Sequence, residues 1–282
     1  MLIGGIEAGG TKFVCAVGDE FGNIIDKTTF PTEDPDKTLD ATKAFFSKHA
    51  IQSLGVGSFG PVDLNKDSET YGYILNTPKL KWKQYNLLGR LKQDFDIPIT
   101  LDTDVNAAAL GEYKYGVAKN AKSVLYITVG TGIGAGFVKD GQTFIGKSHP
   151  EMGHIIIQQR KNDDFEGICP YHGNCLEGLA SGPAIEQRYG KKGHLLGTDH
   201  AAWELEADYL AQAITNYLLI LSPEKVIIGG GVMKQEQLYP LIRKRVSELS
   251  NGYMELNNLE EIIVAPTLND EQGIKGAIAL TL

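Results

Sequence analysis

The sequence predicts an α/β fold, on three observations. Short apolar strand-like runs alternate with amphipathic helical stretches along the whole chain. Three of the strand-like runs end in glycine-rich turns, Gly9-Gly10-Thr11-Lys12, Gly130-Thr131-Gly132 and Gly229-Gly230-Gly231. The 282 residues, 42% hydrophobic and 22% charged, have ordinary globular composition and length for two modest domains or one large one.

Taken in order, residues 2–6 are apolar and 7–10 turn. Residues 12–17 alternate, and after a second turn 23–30 read as a third strand. Asp34-Pro35 opens a helix whose core face is Leu39, Ala41, Phe45 and Phe46. A short strand over 53–59 ends in Gly60-Pro61. A helix is expected over 86–95, a strand broken by Pro98 over 97–102, and a helix over 105–115. Strands follow over 123–129 and 135–139. Residues 141–182 are rich in Gly, His and Cys and show no clear period. The longest amphipathic helix covers 201–221. A strand over 225–228, a helix over 238–249, a strand over 262–266 and a short helix over 273–282 complete the chain. A lobe boundary is expected near Gly116, with 1–115 and the closing helix 271–282 in a small lobe and 116–270 in a large one.

Composition excludes several classes. The net charge is −8 with the signs well mixed, and the longest basic run, Arg243-Lys244-Arg245, lies in a helical pattern as a solvated face. No nucleic-acid partner is expected. No apolar run approaches the ~18 residues a membrane helix needs, and no basic n-region follows Met1, so the expected location is cytoplasmic. Three cysteines, an odd and low count, argue against a disulfide framework.

The glycine turns carry the first chemical signal. Glycine lets backbone N–H groups approach an anion closely, and successive N–H groups form a concave anion site. Thr11, Lys12 and Thr131 add a hydroxyl, a cation and a second hydroxyl. Gly130-Thr131-Gly132-Ile133-Gly134-Ala135 also fits a dinucleotide fingerprint, but that needs a helix to open at the turn, and a strand and hairpin follow here. Leu101-Asp102-Thr103-Asp104-Val105-Asn106 places two acids where a strand passes into a helix. Asp104 there is either a helix N-cap or a general base for phosphoryl transfer to a hydroxyl, and the pattern leaves both readings open. Cys169-Pro170-Tyr171-His172-Gly173-Asn174-Cys175 sets three metal-type ligands on one loop, and His154 supplies a fourth. Cys2His2 is a tetrahedral, structural zinc set, preferred here over a buried Cys pair with surface histidines. The ~12-residue spacer of a nucleic-acid zinc finger is absent.

Together these motifs resemble the ROK family of sugar kinases and repressors. Residues 5–12 resemble its first phosphate loop, 102–112 its catalytic segment and 130–136 its second phosphate loop. Residues 151–154 look like its sugar and zinc motif, 169–182 its zinc loop, and 226–232 its adenosine motif. The resemblance implies the two-lobed actin/hexokinase-like ATPase fold, with ribonuclease H-like lobes and a zinc-binding loop. It implies Asp104 as catalytic base and Thr103, Glu151, His154 and Glu177 as sugar contacts. Gly9, Gly10, Thr11, Lys12, Thr131 and Gly132 would meet the ATP phosphates, and Pro183, Gly229, Gly230 and Gly231 the adenosine. Structural Zn²⁺ would be held by His154, Cys169, His172 and Cys175, with Mg²⁺ accompanying ATP and a homodimer as the assembly.

Three departures point within the family. Glu7 stands where Asp is usual, Thr103 where glucokinases of the family usually carry Asn, and His172 where many members have a further Cys. These resemble the fructokinase branch. The expected reaction is ATP-dependent conversion of D-fructose to fructose 6-phosphate. A kinase for glucose, mannose or another hexose is the first alternative, and a sugar sensor without turnover the second. The phosphate loop begins at Gly4, which leaves no expectation of a DNA-binding domain before it.

Overall fold

A computed structural model describes all 282 residues. The elements are β1 (Ile3–Ala8), β2 (Lys12–Gly18), β3 (Ile24–Pro31), α1 (Pro35–Phe46), β4 (Ser53–Ser58), β5 (Tyr73–Ile74), β6 (Tyr85–Asn86), α2 (Leu87–Asp94), β7 (Ile99–Thr103) and α3 (Asp104–Tyr115). They continue with β8 (Ser123–Val129), β9 (Ile133–Lys139), β10 (Gln142–Thr143), α4 (Leu176–Ala180), α5 (Gly182–Tyr189), α6 (Ala202–Leu221), β11 (Lys225–Gly229), α7 (Leu238–Ser250), α8 (Leu259–Ile262), β12 (Ile263–Val264) and α9 (Gln272–Ala279). No helix is long and apolar enough to cross a membrane. Every cysteine is free and buried.

Helix α4 falls in the stretch that shows no period, and α5 begins at its last residue. Five residues of α4 are too few to display one, and α5 opens on Gly182-Pro183, with proline tolerated in the first turn.

Packing divides the chain into two units. The first holds residues 1–122, 136–150 and 266–282, and the second 123–135 and 151–265. Residues 116–122, 136–150 and 266–270, expected in the large lobe, pack with the first unit. One tie is Glu112, which is fully buried near the end of α3 and accepts the N–H groups of Thr267 (2.8 Å) and Leu268 (3.1 Å).

The first unit is built on a sheet of order β3-β2-β1-β4-β7. Here β1–β2 and β2–β3 are antiparallel, and β1–β4 and β4–β7 parallel. The period-2 alternation of β2 decides its two faces. Phe13, Cys15 and Val17 join Leu39, Phe46, Trp82 and Leu91 in one core, under α1 and α2. Val14 and Ala16 face the other way, onto Ile274 of α9. On that side α9 lies almost backbone to backbone on its neighbours. A Cβ on Gly55 of β4 would stand 1.7 Å from the Ala277 carbonyl oxygen, and one on Gly276 would stand 1.6 Å from that of Ala107 in α3. Glycine is required at both places for the close approach.

The second unit takes β8, β11 and β12 from a sheet of order β10-β9-β8-β11-β12, with β8–β11 and β11–β12 parallel. The chain leaves this unit along β9. Strands β8 and β11 are buried along most of their length, as parallel strands covered on both faces are. Helix α6 packs on α7 and buries Trp203, Tyr209, Leu210, Ile214 and Leu218.

Among these apolar side chains α6 also buries Glu206. Neither of its carboxylate oxygens has a hydrogen-bond partner. Burial lifts its pKa well above the ordinary 4.5, opposed in part by the charge of Arg188. Stability from this group is therefore complete below the unfolded value. It is lost as pH climbs toward the raised folded value, by up to about 1.4 kcal/mol per pH unit. Glu206→Gln should match the wild type near pH 4.5 and be the more stable protein at pH 8. Thermal melts of both across that range test this, and parallel curves would refute it.

Candidate active site

Predicted site residues occur in both units. In the first, the turn between β1 and β2 is closed by the Gly9 N–H, which donates to the Lys12 carbonyl at 3.0 Å. Thr32, the residue after β3, fastens it: its hydroxyl donates to the Gly9 carbonyl (2.6 Å) and its N–H to that of Thr11 (2.9 Å). Thr11 and Lys12 are exposed at the tip. Glu7, just before the turn, presses its carboxylate on Gly273 in the first turn of α9. Burial raises its pKa, which Lys12 lowers in part.

At the strand-to-helix junction the cap is not Asp104. The N-cap of α3 is Thr103, whose hydroxyl accepts the Asn106 N–H at 3.2 Å. Asp104 is the first helical residue, half-buried, with Oδ1 taking the Val105 N–H at 2.9 Å. A carboxylate there sits at the positive end of the helix, which stabilises its charge. Asp102 is buried behind it and accepts the Asn106 side-chain amide at 2.8 Å and the Thr103 N–H at 2.7 Å. Burial raises the Asp102 pKa, opposed by hydrogen bonds from the Thr143 side chain, the Asn106 amide and the Thr103 N–H. His149 reaches the site unannounced by any local pattern, its Nδ1 lying 3.5 Å from the Thr103 hydroxyl.

In the second unit, Gly130 to Gly132 form the turn between β8 and β9. The Gly130 N–H donates to the Gly132 carbonyl (2.9 Å), and the Gly130 carbonyl accepts the N–H of Gly182 at the start of α5 (2.8 Å). Glu177 of α4 accepts the Ile133 N–H through Oε2 at 2.8 Å. Its Oε1 lies 3.8 Å from His154 Nε2. Glu151 precedes the single helical turn that carries His154. Burial raises its pKa, His154 lowers it and Glu177 adds to the rise.

A cavity of about 410 Å³ opens beside this turn and brings together Thr131, Pro183 and Gly231. Glu186, Lys192, His194, Trp203 and Gln235 also line it. None of these five stands in a recognisable motif, and only their neighbours on α5 and after β11 could have flagged them. Gly132, Gly229 and Gly230 are not on its wall. Gly230 serves the backbone: its φ is +94°, and a Cβ would meet Val129 at 2.4 Å.

His154, Cys169, His172 and Cys175 converge, all four ligand atoms lying within 4.8 Å of one another. The loop is shaped by paired hydrogen bonds between Cys169 and Gly173 (3.1 and 2.9 Å), with Gly173 at φ +63°. Cys169 Sγ lies 3.7 Å from His154 Nδ1 and 3.6 Å from His172 Nδ1, and Cys175 Sγ lies 3.6 Å from His154 Nδ1. Ligands at about 2.0–2.3 Å from a tetrahedral ion stand roughly 3.3–3.8 Å apart, so these three spacings are compatible with such an ion. Burial pushes the Cys175 thiol up to about 11, with Cys169 adding to the rise.

The ROK family model matches residues 3–282. The chain belongs to the ROK family. A Bacillus subtilis relative is 52% identical over 99% of this chain and 95% of its own length. The fructokinase of Pediococcus pentosaceus is 45% identical over 99% and 97%. The crystal structure of a ROK family glucokinase from Streptomyces griseus, in complex with glucose and AMPPNP, superposes with a TM-score of 0.78. It is 25% identical and covers 99% of each chain. The ROK assignment thus extends over the whole chain, including every motif described above.

Proposed function

We propose that this ROK protein transfers the γ-phosphoryl group of ATP to the 6-hydroxyl of D-fructose. The observation that carries the reading is Asp104, a carboxylate at the first position of α3 whose capping role is taken by Thr103. The full-length likeness to a fructokinase supports the sugar.

In this reading the sugar oxygen attacks the γ-phosphorus and the bond to the β–γ bridging oxygen breaks. ADP leaves, and the hydroxyl proton passes to Asp104. Asp102 and Asn106 hold the junction from behind. The turns at Gly9–Lys12 and Gly130–Gly132 receive the phosphates, and the cavity lined by Thr131, Pro183 and Gly231 the adenosine. Glu151, His154 and Glu177 orient sugar hydroxyls. Mg²⁺, when bound with ATP, supplies charge neutralisation at the phosphates. His154, Cys169, His172 and Cys175 would hold zinc, which would brace the sugar-binding segment. A cytoplasmic homodimer completes the reading.

The test is ADP release from Mg-ATP with fructose, glucose, mannose and N-acetylated hexosamines compared side by side. A clear preference for fructose is expected. Preference for another hexose would overturn the sugar assignment, and ADP release at background with all of them would favour a sensor.

A further inference from the structure

Glu177 engages two loops at once. Its Oε2 accepts the Ile133 N–H at 2.8 Å, at the end of the Gly130–Gly132 turn, and its Oε1 lies 3.8 Å from Nε2 of His154. The turn is shaped around this carboxylate, since a Cβ on Gly132 would stand 2.6 Å from Glu177 Oε2. Five residues further on, the Gly182 N–H donates to the Gly130 carbonyl, so α4 and α5 hold the turn at both ends. The turn's own N–H groups are thereby sorted. That of Gly130 goes to Gly132 and that of Ile133 to Glu177, while those of Thr131 and Gly132 enter neither bond.

From this geometry we infer that Glu177 is a positioning residue for the nucleotide turn as well as a sugar contact, so that sugar and nucleotide binding are energetically coupled through one carboxylate. The inference rests on the kinase reading above. The physical cause is that an oxygen drawn toward a sugar hydroxyl moves the carboxylate on which the Ile133 N–H depends. A ligand that fixes the carboxylate fixes the turn. Linkage then requires the reverse effect to be equal, with nucleotide on the turn tightening the sugar.

The experiment is calorimetric titration of MgADP and of fructose, each with and without the other. The proteins are the wild type, Glu177→Ala, Glu177→Gln and Gly132→Ala, with the melting temperature of each measured first. In the wild type each ligand should tighten the other by at least about fivefold. Glu177→Ala should weaken MgADP about tenfold with no sugar present, because the Ile133 N–H loses its acceptor. Glu177→Gln keeps an acceptor, so it should restore MgADP affinity to within about threefold while sugar binding stays weak. A purely structural role would not give that split.

Gly132→Ala approaches from the other side and should weaken fructose, although residue 132 lies on the nucleotide turn. If Glu177→Ala does not fold, this variant decides. MgADP affinity unchanged in Glu177→Ala, or fructose affinity unchanged in Gly132→Ala, would overturn the inference. A wild type that binds MgADP but no fructose would instead overturn the sugar assignment. The MgADP titrations of the Glu177 variants would still decide the positioning role.

Discussion

Asp104→Asn should lower kcat by a factor of about 10²–10⁴ and leave the melting temperature within a few degrees of the wild type. The asparagine keeps the side-chain oxygen that accepts the Val105 N–H, and Thr103 keeps the cap on α3, so the helix loses neither bond. What is lost is a group able to take the hydroxyl proton. The KM values for fructose and ATP should move far less than kcat, as expected when an interaction made in the transition state is removed. Steady-state kinetics with circular dichroism checks both parts. A fully active variant would remove Asp104 from the role of base.

On the zinc reading, loss of the metal should have a smaller effect, expressed in binding. Purified protein on that reading carries about one zinc per chain, and Cys175→Ser loses it. Cys175 is fully buried immediately before α4, and α4 carries Glu177. His154 faces both cysteines through Nδ1 and Glu177 across Nε2, so an unligated His154 is free to turn away from the carboxylate. Fructose KM should therefore rise about 10–100-fold, the range seen when the shell around a metal site is disturbed, with a lowered melting temperature. Metal analysis by mass spectrometry and a thermal melt measure this directly. A variant that retained zinc, stability and KM would exclude the four-ligand site.

Much of the fold was legible because apolar period and glycine turns lie in plain view. Strand β8 follows its run of apolar residues from Ser123 to Val129, and α6 begins one residue inside the expected span. The cap at Thr103 was harder to read, since Thr and Asp are both good N-caps and stand side by side. Only the backbone shows which one is outside the helix. His149 could not be placed from sequence either, because it lies 46 positions from Thr103 and nothing local marks the contact. The same holds for Glu186, Lys192, His194 and Gln235. Their presence on one cavity wall is a product of tertiary packing, and their types alone read as ordinary surface residues. Glu206 was invisible for a related reason: a glutamate in an amphipathic helix reads as solvated until the packing of α6 is known.

The seating of α9 on Gly55 and Gly276 bears on biosynthesis. The ribosome makes β1 to α3 early and residues 266–282 only after the entire second unit has emerged. Until then the sheet face that receives Ile274 and Ala277 is bare, and α3, with Asp104 at its head, lacks the helix it rests on. The nascent first unit therefore waits, incompletely packed, while the second is translated. The packing around α3 and the first sheet is complete only when the ninth helix arrives.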